Sequence, residues 1–339
     1  MSNNKDFDTI MREITGGLIG DSEKDMVYLQ TKCEEYKNHE MSTEIVRACG
    51  RLMYDLMTDE QKEALGSAIS KDSLGTETAL DEIRFNIYKK DYDKALKMID
   101  DLTRKVEALD MYHDDQVSEY HTFNEFFEEI LYHHIYKPEK ELRQAQIPYT
   151  EIYYLYGSLL FEMKRFEEAR QMLQKGLRWN PMDFSITAEY IETYKAEGNM
   201  ELFFEKTKEA FKIAIHTPQV ARCFRNLGYY FVEVEKYSEA VAALLLSKNY
   251  EEDAQQVQSE LYYINQVTGG IKTPSVEEAK QYSEQYGFPM GADKEILHLA
   301  YNYGKHYLDA GQKEPARYFL SILYELTDDE EIKKMLDSI

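Results

Sequence analysis

Residues 150–181, TEIYYLYGSLLFEMKRFEEARQMLQKGLRWNP, decide the fold. Ile152, Leu155, Tyr156, Leu159, Leu160 and Met163 recur at the spacing of one helical face. A break at Lys164-Arg165 follows. A second stripe then runs through Phe166, Ala169, Met172, Leu173 and Leu177, and Pro181 closes it. Two amphipathic helices joined by so tight a turn must pack antiparallel. Neither can cover its outer face alone, so a neighbouring pair is required.

Counted from Thr150, Gly157 is eighth, Ala169 twentieth and Pro181 thirty-second. With Phe166 just after the turn and Leu173 as a large apolar residue, this pattern resembles the tetratricopeptide repeat (TPR), whose period is ~34 residues. Tyr153 stands at the family's usual tryptophan position, and Gly176 replaces its usual alanine. Small residues at Gly157 and Ala169 allow two helix backbones to approach. The pattern recurs from Ala221 through Phe224, Leu227, Gly228, Phe231, Tyr237, Ala240 and Leu244. It returns from Leu297 through Tyr303, Gly304, Tyr307, Gly311, Ala316 and Leu320. Upstream, Tyr92 and Ala95 fit, with Ile83 in place of the small residue. A degenerate copy over 184–217 keeps Tyr194, Gly198 and Ala210 but has large Ile191 and Phe203 where small residues are expected. The resemblance implies an all-α fold, a right-handed superhelical solenoid of antiparallel helix-turn-helix repeats.

The repeat array is expected to occupy 76–327, with hairpins near 76–109, 112–147, 150–183, 184–220, 221–249, 251–289 and 297–327. Of these, 112–147 and 251–289 are divergent pairs filling gaps of about two periods. The first is expected to hold a long helix around Phe123–Leu131. The second carries a Gly269-Gly270 break before a helix opened by Thr273-Pro274-Ser275. Residues 1–75 contain helical stretches without clear repeat positions and are read as a divergent helical region or cap. Residues 328–339 are read as a polar capping helix. No strand-like alternation stands out.

Composition narrows the function. Sixty-three acidic against 40 basic residues give a formal charge of −23, a field that repels phosphate backbones and anionic lipid heads. Nucleic acid and membrane are therefore poor partners. The longest apolar stretch, Val241–Leu246, is far short of the ~18 residues of a membrane span. Cys33, Cys49 and Cys223 are odd in number and widely spaced, which argues against a disulfide framework or zinc ribbon and for a reducing compartment. The amino terminus has neither a basic nor an apolar secretory region, so a cytoplasmic location is expected.

The resemblance further implies a groove lined by the first helix of each repeat, with a protein or peptide held in it. Carried onto this sequence, the groove positions include Tyr154, Ser158, Phe161, Glu192, Lys195, Arg222, Arg225, Tyr229, Tyr301 and Lys305, with Asn226 beside them. Tyr and Arg are the side chains that most often carry interface energy. Arg222, Arg225 and Asn226, with Tyr154 and Tyr229, form a candidate grip for an acidic or C-terminal carboxylate segment. The competing arrangement pairs both arginines internally with Glu189 and Glu192. Tyr154 and Ser158 stand where the family's chaperone-tail clamp needs Lys and Asn, which argues against that clamp.

Constellations for chemistry are weak. Glu129 and His133 share a helix face, but a metal site needs a third converging ligand that the sequence does not supply, and adjacent His133 and His134 point about 100° apart. Gly16-Gly17-Leu18-Ile19-Gly20 lacks the strand before it and the Lys-Ser/Thr after it that a phosphate loop requires. No nucleophile stands with its base. Neither catalytic residues nor a cofactor nor a metal is expected. The alternative to a scaffold is a peptide-responsive regulator with residues 1–75 as a protein-binding effector. Nine Lys/Arg against fifteen Asp/Glu in that stretch disfavour a DNA-reading one. Self-association, through the groove or through Asp328–Ile339, stays open.

Overall fold

The computed structural model describes residues 7–109, 112–252 and 254–339, with the backbone alone described at 63–74. The chain divides into two compact units, residues 1–122 with 138–148, and residues 123–137 with 149–339.

In the first unit, α1 (Phe7–Gly16), α2 (Ser22–Tyr36) and α3 (Ser42–Leu56) enclose a core of Ile10, Ile14, Leu29, Met41, Ile45 and Cys49. The glycine string after α1 is a helix stop. Gly20 takes a positive φ of 82°, and the amides of Ile19 and Gly20 donate to the two carboxylate oxygens of buried Asp25 at 2.9 and 2.8 Å. Those donors are thus already committed to a carboxylate of the chain itself. Helix α4 (Asp59–Tyr88) opens on a capping box between Thr58 and Gln61 and pairs with α5 (Tyr92–Ala108). It runs unbroken across the boundary expected at 75–76. Neither Gly66 nor Gly75 stops it, because a helix interior tolerates glycine at a cost of only about 1 kcal/mol.

A second departure from the expected pattern lies at 112–147. In place of a helical pair the chain forms strand β1 (Ser118–His121), helix α6 (Phe126–Tyr136) and strand β2 (Glu141–Gln144), and the strands pair in parallel with Ser118 opposite Glu141. Four-residue strands are too short to display an alternation. What sets β1 is a local polar turn: Asp115 Oδ1 accepts from the amides of Val117 and Ser118 at 2.9 and 2.7 Å. Arg47 of α3 holds that turn by donating to His113 O at 2.7 Å and Asp115 Oδ2 at 2.8 Å.

The second unit is a run of helix pairs: α7 (Tyr149–Glu162) with α8 (Phe166–Trp179), α9 (Phe184–Ala196) with α10 (Met200–Ala210), and α11 (Thr217–Glu233) with α12 (Tyr237–Lys248). In the degenerate copy Ile191 and Phe203 are both buried. Helices α13 (Gln255–Thr268) and α14 (Val276–Tyr286) follow, separated by left-handed Gly269 and Gly270 and both packed on α12. Helix α14 starts on a capping box between Ser275 and Glu278. The last pair, α15 (Lys294–Asp309) and α16 (Lys313–Thr327), folds back onto α6 and onto the 3₁₀ turn Phe211–Ile213. Fully buried Phe319 anchors it among Phe126, Phe127, Tyr303 and Tyr307. Helix α17 (Glu330–Asp337) closes on α16, with Ile332 buried.

Candidate binding groove

The first helices α9, α11 and α13, with α12 behind them, surround a cavity of about 450 Å³. Its lining contains Glu192 and Lys195 from α9, and Arg222, Arg225, Asn226 and Tyr229 from α11. The helical period explains the convergence. Arg222, Arg225, Asn226 and Tyr229 lie at i, i+3, i+4 and i+7, one stripe of α11. The opposite stripe, Phe224, Leu227 and Phe231, is fully buried.

The cavity's charges are partly met from within the chain. Arg222 lies 3.6 Å from Glu192, and Lys195 is equally far from the same carboxylate. Arg225 pairs with Glu251, a residue outside the repeat positions, rather than with Glu189. The Lys195 ammonium sits 4.1 Å from the centre of the Tyr229 ring. Burial pushes the Glu189 carboxyl above its ordinary range, against the pull of nearby Arg222. Glu260 is likewise pushed up by burial, with Lys195 drawing it back.

The remaining groove candidates fall elsewhere. Tyr154 on α7 does not line the cavity, yet it feels the charges of Glu189 and Arg222, and burial raises its hydroxyl. Ser158 is half-buried on the same helix. Phe161 packs its ring 5.4 Å from Phe166 across its own hairpin turn. Tyr301 and Lys305 are on α15, away from the cavity lining, and Lys305 pairs with Asp309 one turn on. The back-folding of α15–α16 removes them from the row that simple counting predicts. Conversely, Gln256, Val257 and Glu260 of α13 complete the cavity. They lie where repeat positions cannot be counted. Their i, i+1, i+4 spacing was the one available signal.

Among the described residues, no group of three or more His, Cys, Asp or Glu is placed to hold a metal ion. His134 instead faces Glu295 at 3.3 Å, and His121 faces Glu119 at 3.5 Å. No helix among the described residues is long and apolar enough to cross a membrane.

No family model matches the sequence, and no curated protein matches it. Among solved structures, a thermophilic TPR protein from Thermus thermophilus is 14% identical, with 56% of this chain and 97% of that one covered at a TM-score of 0.28. So low an overlap carries no argument. The packing itself does: three times, in Gly157–Leu173, Gly228–Leu244 and Gly304–Leu320, a glycine of the first helix lets in a leucine sixteen residues on. By that recurring contact and the succession of antiparallel pairs, residues 149–327 are a TPR-like helical repeat array.

Proposed function

We propose that the second unit is a protein-binding scaffold whose cavity between α9, α11 and α13 takes a carboxylate-bearing peptide segment, acidic or C-terminal. The reading is of a binding module, not an enzyme. One observation carries it: Lys195, Arg222 and Arg225 converge with Asn226 and Tyr229 on one cavity in a chain of net charge −23. A guest carboxylate would displace the long Arg222–Glu192 contact rather than a close, bidentate pair. The amide of Asn226 and the Tyr229 ring supply hydrogen bonding and apolar contact at the same place.

Affinity capture with the full chain, wild type beside Arg222→Glu/Arg225→Glu, tests the site. The expected result is a partner retained by wild type and lost by the double variant, whose binding segment competes as a synthetic peptide. Replacing that peptide's carboxylates by amides should weaken it ~10-fold or more, the scale of one lost charge-assisted bond. Equal retention by both proteins would remove the cavity from the function.

A separate core in the first unit favours a second reading, in which that unit is an effector body answering to peptide bound in the second. Deleting residues 1–58 would then abolish the downstream response while leaving peptide affinity unchanged.

A further inference from the structure

A second cavity, of about 420 Å³ and open along one side, continues the first and shares Tyr229 and Glu260 with it. Rings and carboxylates make its wall. Tyr229 and Glu233 come from the end of α11, Glu235 from the turn after it, Tyr237 from α12, and Glu260 and Tyr263 from α13. Among the described residues no Lys, Arg or His lines it, and none of its three carboxylates has an ion-pair partner.

Helical phase gathers these groups. Tyr229 and Glu233 lie one turn apart on α11, and the tyrosine hydroxyl hydrogen-bonds to that carboxylate. Glu260 and Tyr263 are three apart on α13, so both meet the same cavity. Burial raises the Glu260 carboxyl, and the charge of Glu233 on the neighbouring helix raises it further. Lys195, on the wall of the first cavity, draws it back only in part.

Unpaired carboxylates are ordinary on a chain of net charge −23. Carboxylates that repel one another around a cavity also walled by three tyrosines make surroundings for a cation, which both the charges and the ring faces attract. The groove already contains one such arrangement. The Lys195 ammonium sits 4.1 Å from the centre of the Tyr229 ring and 3.6 Å from Glu192.

The groove is thus polarised along α11, with Arg222 and Arg225 toward its start and Glu233 and Glu235 at its end. Eight residues separate Arg225 from Glu233, roughly 12 Å of helix. An extended peptide covers that distance in about four residues.

We infer that the groove takes a dipolar peptide, a segment of a partner protein with a carboxylate at Arg222 and Arg225 and, about four residues away, a Lys or Arg in the second cavity. The carboxylate end rests on the function proposed above; the cation end goes beyond it. A purely acidic segment is repelled at Glu233, Glu235 and Glu260, so the second cavity selects among the guests that the first would accept.

Random decapeptides with a free carboxyl end would be displayed and panned on the full chain, and the winners made as fluorescent peptides. They are expected to carry Lys or Arg roughly three to five residues from a carboxylate. Replacing that Lys by norleucine, or that Arg by citrulline, should weaken binding ~10-fold. Glu233→Gln/Glu260→Gln should weaken the parent peptide by the same ~10-fold and the neutralised peptide not at all. These changes keep side-chain shape and remove repulsion, and unchanged circular dichroism would verify the fold. Glu277→Gln/Glu284→Gln, which removes equal charge from exposed positions on α14, should leave affinity unchanged.

Winners without the cation overturn the inference, and if Arg222→Glu/Arg225→Glu still abolishes their binding, the carboxylate end stands. Losses that add, rather than coincide, seat the cation elsewhere and overturn it too. An equal loss with Glu277→Gln/Glu284→Gln reduces the effect to net charge. Winners held equally by the Arg222→Glu/Arg225→Glu protein remove the carboxylate end and the dipolar guest together. A library with nothing enriched also overturns the inference, while the affinity capture above still judges the scaffold.

Discussion

A methyl group on Gly228 would sit 2.6 Å from Leu244 Cδ2 and 2.7 Å from its Cγ, so glycine here is what allows α11 and α12 their closest approach. Gly157 against Leu173 and Gly304 against Leu320 repeat that contact. Each of the three leucines is fully buried and has little room to retreat. Gly50, inside α3, meets nothing within 4 Å.

The two kinds of helical glycine should respond to alanine with opposite signs. Alanine in a helix gains about 1 kcal/mol over glycine, while forcing a methyl into a filled core costs about 1–3 kcal/mol. Gly50→Ala should therefore stabilise by about 0.5–1 kcal/mol, and Gly228→Ala should destabilise by about 1 kcal/mol. The double variant Gly228→Ala/Leu244→Ala should show a favourable coupling, since the shortened leucine makes room. Urea denaturation of wild type, these three variants and Leu244→Ala alone, which completes the cycle, measures the effects. A stabilised Gly228→Ala would mean that the helix pair has slack and that the repeat glycine is not a packing requirement.

Buried Glu128 makes a prediction of a different kind. One of its oxygens accepts from the Asn124 amide at 2.7 Å and the Asn180 side chain at 2.8 Å, pinning α6 to the α8–α9 turn. Burial pushes its carboxyl above the ordinary range. Glu128→Gln keeps an acceptor oxygen and removes a buried charge, so it should stay within about 1 kcal/mol of wild type at pH 7. Glu128→Ala strands Asn180, itself fully buried, and should cost about 2–4 kcal/mol. Thermal denaturation of the two variants side by side separates the hydrogen bonds from the charge.

How much of this was legible beforehand follows from what each residue answers to. Gly157, Gly228 and their leucines answer to a contact inside one hairpin, sixteen residues away, and the repeat reports it. The stripe Arg222, Arg225, Asn226 and Tyr229 answers to helical phase alone, so one helix's face toward the cavity could be read. Tyr301 and Lys305 could not. Their place depends on Phe319 docking among Phe126 and Phe127, nearly 200 residues earlier in the chain. Glu251 was hidden for the same reason: its contact with Arg225 joins a repeat to a segment without repeat positions. The β1–β2 pairing rests on Arg47 gripping Asp115, a contact that no local pattern encodes.

The thiols should react unequally. Burial raises Cys223 far above its ordinary range and Cys49 to about 12, whereas Cys33 is only half-buried. Reactivity follows both thiolate fraction and access. In the native protein an aromatic disulfide reagent at pH 8 should modify Cys33 first, and the other two only after urea is added. Prompt reaction of all three would show that α3 and α11 open readily.

Finally, the junction of α6, α11 and α16 should be sensitive to pH through His216. Its Nε2 lies 3.0 Å from Glu125 Oε1 and its Nδ1 3.5 Å from Glu325 Oε2, while Tyr318 donates to Glu125 Oε2 at 3.2 Å. The hydrogen bond with Glu125 raises the imidazole above its ordinary 6.5, and the same bond lowers Glu125 below 4.5. A raised histidine contributes stability that is complete below about 6.5 and is lost as pH climbs through the folded value. A lowered carboxylate contributes stability present above about 4.5 and lost as pH falls through its folded value. The ion pair is thus fully formed between about pH 4.5 and 6.5. Between pH 6 and 9 the melting temperature should fall by about 1–3 °C, a modest change because both groups are partly solvated. His216→Gln should flatten that slope, since its amide keeps one hydrogen bond to Glu125 without a titrating charge. Glu325→Gln should leave most of it, because Glu125 is the closer partner. If His216→Gln retains the wild-type slope, the junction is held by Phe319 and its aromatic neighbours, and the imidazole contributes nothing to it.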